Sequence, residues 1–183
     1  SLPVAKIAVI GTGYVGLTTG ACLASLGHQV VCADIDANKV AQLQIGKITI
    51  FEDGLSELVV SGIKSKNLSF VVGAVSAAAD SEFVFLCLPT PESSDGSADV
   101  SIIQSVAKEI SPHLQPGSII VNKSTLPVGS VELVENCINR SDVSVVSNPE
   151  FLREGSAVKD FLKPDRVVIG SVNKSAAEKV SEI

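Results

Sequence analysis

The sequence predicts an α/β fold, a doubly wound and mostly parallel sheet with helices on both faces. Three observations lead there. Apolar residues make up 45% of the 183 positions while aromatics reach only 4%, a Val-, Ile-, Ala- and Gly-rich mixture that suits parallel strands buried on both faces. Short apolar runs alternate with helix-spaced patterns along the chain, and that alternation requires right-handed crossovers between parallel strands. A glycine-rich turn, Gly11-Thr12-Gly13-Tyr14-Val15-Gly16, separates the first run from the first helix pattern.

The first strand is the run Ile7-Ala8-Val9-Ile10. A helix follows from about Tyr14 to Leu26, and a second strand through Val30-Val31-Cys32-Ala33 closes a βαβ unit. Asp36 is placed to cap a second helix carrying Val40 and Leu43; a less regular stretch from Gly46 to Gly54 leads into a third with Leu55, Leu58 and Val59 on one side. Further strands are predicted at Leu68 to Val72, Phe83 to Leu88, Ser118 to Val121, Val143 to Val146 and Arg166 to Ile169. Between them, Val100-Ile103-Val106-Ile110 and Val131-Val134-Ile138 recur at helical spacing, and Ala176, Ala177, Val180 and Ile183 do so up to the last residue. Glu92 to Ala98 reads as a polar loop. The whole chain, residues 1–183, reads as one domain, with ligands expected at the carboxyl ends of the strands.

Several function classes are disfavoured. The net charge of -6 is spread without a basic run, so there is no electrostatic footprint for nucleic acid. Cys22, Cys32, Cys87 and Cys137 are widely separated and form no metal-ligand spacing; they read as reduced thiols of a cytoplasmic protein, and no metal is expected. No apolar stretch approaches the roughly 18 residues of a membrane span.

The glycine turn matches G-x-G-x-x-G in the context that gives the motif meaning, between a strand and a helix. Gly11 permits the tight turn, Gly13 removes a Cβ that would block a pyrophosphate, and Gly16 lets the helix approach the sheet. The helix N-terminus supplies unpaired N–H donors and a partial positive charge to a diphosphate. Asp34, eighteen positions after Gly16, ends the second strand, where a carboxylate can accept hydrogen bonds from both ribose hydroxyls of an adenosine. It would repel a 2′-phosphate, and no Arg follows to receive one, so NAD is expected over NADP. The plainer readings are a ligand-free βα turn for the glycines and a strand-end turn residue for Asp34. Lys39 is either a solvated helix position or a side chain that reaches the adenosine.

Three later segments are unusual as mere structure: Cys87-Leu88-Pro89-Thr90-Pro91, Lys123-Ser124-Thr125-Leu126-Pro127-Val128-Gly129, and Asn148-Pro149-Glu150-Phe151-Leu152-Arg153-Glu154-Gly155. With the glycine turn and Pro164-Asp165-Arg166-Val167-Val168-Ile169-Gly170, they resemble the amino-terminal, NAD-binding domain of the UDP-glucose/GDP-mannose dehydrogenase family over nearly the whole chain. The segment around Glu150 to Glu154 is the most specific part. The resemblance implies a Rossmann-type domain in an enzyme that oxidises a primary alcohol of a nucleotide sugar, UDP-glucose being the favoured one, to a carboxylate by two hydride transfers to NAD. By the same resemblance Gly11, Gly13, Tyr14, Val15 and Gly16 cradle the pyrophosphate, and Asp34 and Lys39 hold the adenosine. Thr90, Thr125 and Glu154 lie along the cofactor towards the nicotinamide, and Glu150, Phe151, Leu152, Arg153 and Glu154 form part of the sugar site. Thr125, Glu150 and Glu154 are the catalytic candidates: a hydroxyl and a carboxylate suit removal of the alcohol proton and orientation of a water.

The residues also admit simpler roles. Thr90, between two prolines, could shape a loop, and Thr125 could cap a helix beginning near Val128. Glu150 and Glu154 are spaced i, i+4 and could form a solvated helix face, with Arg153 as an ion-pair partner. In the family, the intermediate aldehyde is captured by a cysteine in a Gly-rich segment followed by Pro-Lys-Asp. No such segment occurs in these 183 residues. Cys87, in an apolar run, is expected to be a buried structural thiol. The family's central helical and uridine-binding carboxy-terminal domains are likewise absent, so the chain alone is expected to be inactive, and its oligomeric state is left open. The competing functions are another Rossmann dehydrogenase, of hydroxyacid or 6-phosphogluconate type, and a non-catalytic NAD sensor.

Overall fold

In the computed structural model, residues 4–127, 129, 131–148, 158, 170 and 171 are described. The apolar runs become parallel strands because each alternates between two covered faces. In β1 (Lys6–Ile10), Ile7 and Val9 enter one buried cluster while Ala8 and Ile10 enter the other. β2 (Gln29–Asp34), β4 (Phe83–Leu86), β5 (Ile119–Asn122) and β6 (Ser144–Ser147) divide their side chains in the same way, and β3 (Leu68–Val72) completes that half of the sheet.

The strand order is β3-β2-β1-β4-β5-β6-β7. Every pair from β3 to β6 is parallel, in registers such as Val9↔Cys32 and Val9↔Phe85 on the two sides of β1. The last strand, β7 (Gly170–Ser171), pairs antiparallel with β6, so the sheet is mostly parallel as predicted. The chain runs outward from β1 to β2 and β3, then crosses back to β4 on the other flank of β1. Open α/β sheets usually take their ligands at such a reversal, outside the carboxyl ends of the two strands that flank it, here β1 and β4.

One face of the sheet carries α1 (Tyr14–Ser25), α2 (Ala37–Gln44) and α3 (Leu55–Ser65), whose Leu17, Val40, Leu43, Leu55 and Val59 fill the first cluster. The other carries α4 (Ala74–Ala78), α5 (Ser101–Ile110) and α6 (Val131–Ile138), with Ile103, Ala107, Ile110, Val134 and Ile138 inside. Boundaries shift from the sequence expectation by a residue or two, as helix and strand ends do. β4 stops at Leu86 because Cys87 and Leu88 turn into the loop towards Pro89. α4 was not foreseen. Within the polar loop, Glu92 and Ala98 form an isolated antiparallel bridge. The strand expected at Arg166 to Ile169 and the final helix through Ile183 lie outside the described residues.

Candidate functional site

The three motif glycines have different physical reasons to be glycine. Gly11 has φ +105°; its N–H donates to the Ala33 carbonyl at 2.8 Å, and a Cβ on it would stand 2.2 Å from the carbonyl oxygen of Cys87. Its lack of a side chain lets the end of β1 meet the end of β4. At Gly16 a Cβ would lie 1.9 Å from the carbonyl oxygen of Gly11, so this residue lets α1 fold back over the turn. Gly13 is different. Its φ of -72° is ordinary for any residue, and a Cβ there would meet nothing within 4 Å.

The open space above Gly13 coincides with the start of α1, which has no side-chain cap and no acidic residue in its first turn. The first-turn N–H groups have no acceptor inside the helix, and the helix dipole adds a partial positive charge there. A helix start of this kind favours an anion. Tyr14 and Val15 are half-buried at this helix start. The Tyr14 hydroxyl donates to Glu52 Oε2 at 3.2 Å, which ties the turn to the irregular stretch between α2 and α3.

Asp34 stands beside this turn at the end of β2. Its Oδ2 accepts from the Thr12 hydroxyl at 2.5 Å and from the Thr12 N–H at 3.2 Å, and its Oδ1 accepts from the Asp36 N–H at 3.1 Å. Lys39 Nζ lies 3.8 Å from Oδ2, so Lys39 leans on the acidic residue and is only half-exposed. Partial burial pushes the Asp34 carboxyl up, but the Thr12 hydroxyl, the Asp36 N–H, the Lys39 charge and the Thr12 N–H together hold it below the ordinary value. Asp36 caps α2 as predicted, accepting from the N–H groups of Asn38 and Lys39 at 3.0 and 3.1 Å. A cavity of about 230 Å³ adjoins this group, lined by Thr12, Lys39 and Lys47 together with Leu17, Leu43 and Ile50.

On the other flank, buried polar side chains hold the ends of β4 and β5 together. Ser124 Oγ accepts from the Leu88 N–H at 2.9 Å and donates to the Leu86 carbonyl at 3.2 Å. The Asn122 side chain spans the same turn, donating to the Ser124 carbonyl at 3.1 Å and accepting from its N–H at 3.3 Å. Lys123 and Asn148 are buried beside them, each 4% exposed. These staples bring the loop that carries Thr90, which is half-buried, next to the loop that carries Thr125, which is exposed. α6 starts at Val131 rather than near Val128, six residues past Thr125, so Thr125 does not cap it. Glu150, Phe151, Leu152, Arg153 and Glu154 lie outside the described residues.

None of the cysteines is in a disulfide. Cys22 and Cys32 are buried, and burial pushes the Cys32 thiol far up, with Cys87 adding to the shift. Cys87 itself is only partly buried, a correction to the expectation from its apolar run. It lies just past β4, where its carbonyl meets Gly11. Among the described residues no group of three His, Cys, Asp or Glu side chains could hold a metal ion, and no helix is long and apolar enough to cross a membrane.

The family model for the NAD-binding domain of UDP-glucose/GDP-mannose dehydrogenases matches residues 5–183. The chain belongs to this family. It is 49% identical over 170 residues to a UDP-glucose 6-dehydrogenase of Rhizobium meliloti, covering 90% of this chain and 39% of that one. It is 44% identical over 183 residues to the UDP-glucose 6-dehydrogenase TuaD of Bacillus subtilis, covering 97% of this chain and 40% of the relative. Among solved structures, a UDP-glucose dehydrogenase from Pyrobaculum islandicum superposes with a TM-score of 0.92 at 37% identity, over 100% of this chain and 44% of that one. The chain therefore spans about two fifths of the length of the curated relatives it matches.

NAD is the cofactor of the matched domain, and the residues present fit it. The space a Cβ would fill at Gly13, the uncapped start of α1 and the carboxylate of Asp34 stand side by side in the order diphosphate and ribose require. The glycines, Asp34 and the Asp36 cap were legible in the sequence. The coupling of Thr12 to Asp34, the Tyr14–Glu52 bond and the Ser124 staple were not.

Proposed function

We propose that this chain is the cofactor-binding part of a UDP-glucose 6-dehydrogenase, an enzyme that oxidises the primary alcohol of UDP-glucose to a carboxylate. NAD, when bound, supplies the hydride acceptor for each of the two oxidations. In this reading Gly13 and the first-turn N–H groups of α1 receive the pyrophosphate, with Gly11, Tyr14, Val15 and Gly16 shaping the turn, and Asp34 and Lys39 hold the adenosine ribose. Thr90 and Thr125, on the stapled loops after β4 and β5, flank the path towards the nicotinamide. Glu154 completes it, and Glu150 to Glu154 contribute to the sugar site. Each oxidation removes a hydride from carbon and a proton from oxygen, and the step that yields the acid also needs an oriented water. Thr125, Glu150 and Glu154 are assigned to hold that proton and that water.

The observation that carries the reading is the open space at Gly13 beside a carboxylate already held in its charged form. The names of the relatives at 44–49% identity support UDP-glucose as the substrate. No cysteine of the chain stands in the Gly-rich segment followed by Pro-Lys-Asp in which the family carries the nucleophile that captures the aldehyde. The 183 residues by themselves therefore bind NAD and turn nothing over, and four cysteines outside any disulfide accord with a cytoplasmic setting. The test is an absorbance assay for NADH with the purified chain, NAD and UDP-glucose. No sustained production is expected; steady turnover would overturn this assignment.

A further inference from the structure

We infer that Thr12 is a positioning residue for NAD: through its hydroxyl and its amide it sets the orientation of Asp34 and ties the ribose reader to the phosphate turn. This rests on the reading of the site as an NAD site. Thr12, between two glycines of the turn, is 1% exposed. Its hydroxyl has one proton to give, and that proton goes to Asp34 Oδ2 at 2.5 Å, a length typical of a charge-assisted bond. Its N–H adds a second contact to the same oxygen at 3.2 Å.

A carboxylate offers roughly four acceptor positions. Thr12 takes two of them and the Asp36 N–H a third, so the chain itself fixes the plane of the carboxylate before a ligand arrives. One ribose hydroxyl can then take the single position that remains, on Oδ1 of an already oriented acceptor. Without the hydroxyl, the nearest cation, Lys39 at 3.8 Å, would compete for the freed oxygen, and the side chain would have to be re-ordered on binding. Because Thr12 lies between Gly11 and Gly13, the same residue fixes the spacing between the diphosphate and ribose positions. Binding cost falls when a site is organised beforehand.

The test is a double-mutant cycle on NAD affinity by calorimetry, with Thr12→Val, Thr12→Ser, Asp34→Ala and Thr12→Val/Asp34→Ala, each checked for native circular dichroism. Thr12→Val is near-isosteric and should weaken NAD about tenfold in the wild-type background. The effect should shrink to less than about twofold when Asp34 is already absent, since Thr12 acts through Asp34. Thr12→Ser, which keeps the hydroxyl, should stay within about twofold of wild type. The acid limb of NAD binding should also move to higher pH in Thr12→Val, a change that a packing defect alone would not cause. Equal losses in both backgrounds, or an unaltered affinity in folded Thr12→Val, would overturn the role of Thr12 alone. A wild-type chain that binds no NAD would overturn the cofactor reading and this inference with it.

Discussion

Replacing Gly16 and Gly13 by Ala, one at a time, should separate the part of the glycine turn that builds the fold from the part that binds. At Gly16 the new methyl would stand 1.9 Å from the carbonyl oxygen and 2.8 Å from the carbonyl carbon of Gly11. Real Cβ contacts stay beyond 3.0 Å, so α1 must withdraw by roughly 1 Å from the turn that β1 feeds, against backbone rather than a flexible side chain. Overpacking of this kind costs about 1–3 kcal/mol, and the rigid neighbour places Gly16→Ala near the top of that range. For a domain of this size about 3 kcal/mol corresponds to a fall in Tm of roughly 6–12 °C. At Gly13 the backbone is already in a region open to Ala and nothing lies within 4 Å, so Tm should move by no more than about 2 °C. NAD affinity should nevertheless fall by at least about tenfold, because the methyl occupies the space assigned to the pyrophosphate. Scanning calorimetry of the free chains and titration with NAD measure both quantities. A Gly13→Ala chain that binds NAD normally, or a Gly16→Ala chain as stable as wild type, would refute the division of roles.

Three other outcomes are expected. Asp34 is held below its ordinary value in the folded chain, so the stability it contributes is complete above an unfolded value of about 3.9 and is lost as pH falls through the lower folded value. Urea unfolding at a series of pH values should therefore show a shallower acid decline for Asp34→Asn than for wild type below about pH 4; parallel declines would contradict it. Ser124→Ala removes the acceptor for the Leu88 N–H and should cost about 1–3 kcal/mol in urea unfolding; an unchanged midpoint would show that the staple between β4 and β5 is idle. With a chromogenic thiol reagent, only Cys87 and Cys137 should react in the native chain, because Cys22 and Cys32 are buried and the Cys32 thiol is pushed well up. Release of four equivalents before unfolding would contradict that placement.

What the sequence made legible was what lies close together along it. β1, α1, β2 and the Asp36 cap occupy one continuous stretch, and the strands from β3 to β6 announce themselves by apolar runs whose alternate residues serve both faces. α4 escaped because five residues between Gly73 and Ala79 are too few for a 3.6-residue period to register. The antiparallel pairing of β7 with β6 depends on how the chain returns, which no local pattern records. Within the site, the glycines and Asp34 carry a spacing, whereas the bonds from Thr12 to Asp34, Tyr14 to Glu52 and Leu88 to Ser124 join residues 22, 38 and 36 positions apart. A hydroxyl's partner over such distances is set by the sheet order, not by its neighbours in sequence. Thr125 as a helix cap failed for a related reason: the turn after β5 is held by Ser124 and Asn122, and the helix starts only at Val131.

The most direct test of the central claim, that the carboxyl ends of β1 and β4 flank an NAD site read by Asp34, is calorimetric titration of the chain with NAD and, separately, with NADP. The account predicts one NAD per chain and NADP binding weaker by at least about tenfold, since the carboxylate would face a 2′-phosphate with no Arg to receive it. Equal or tighter binding of NADP, or no binding of NAD, would contradict it.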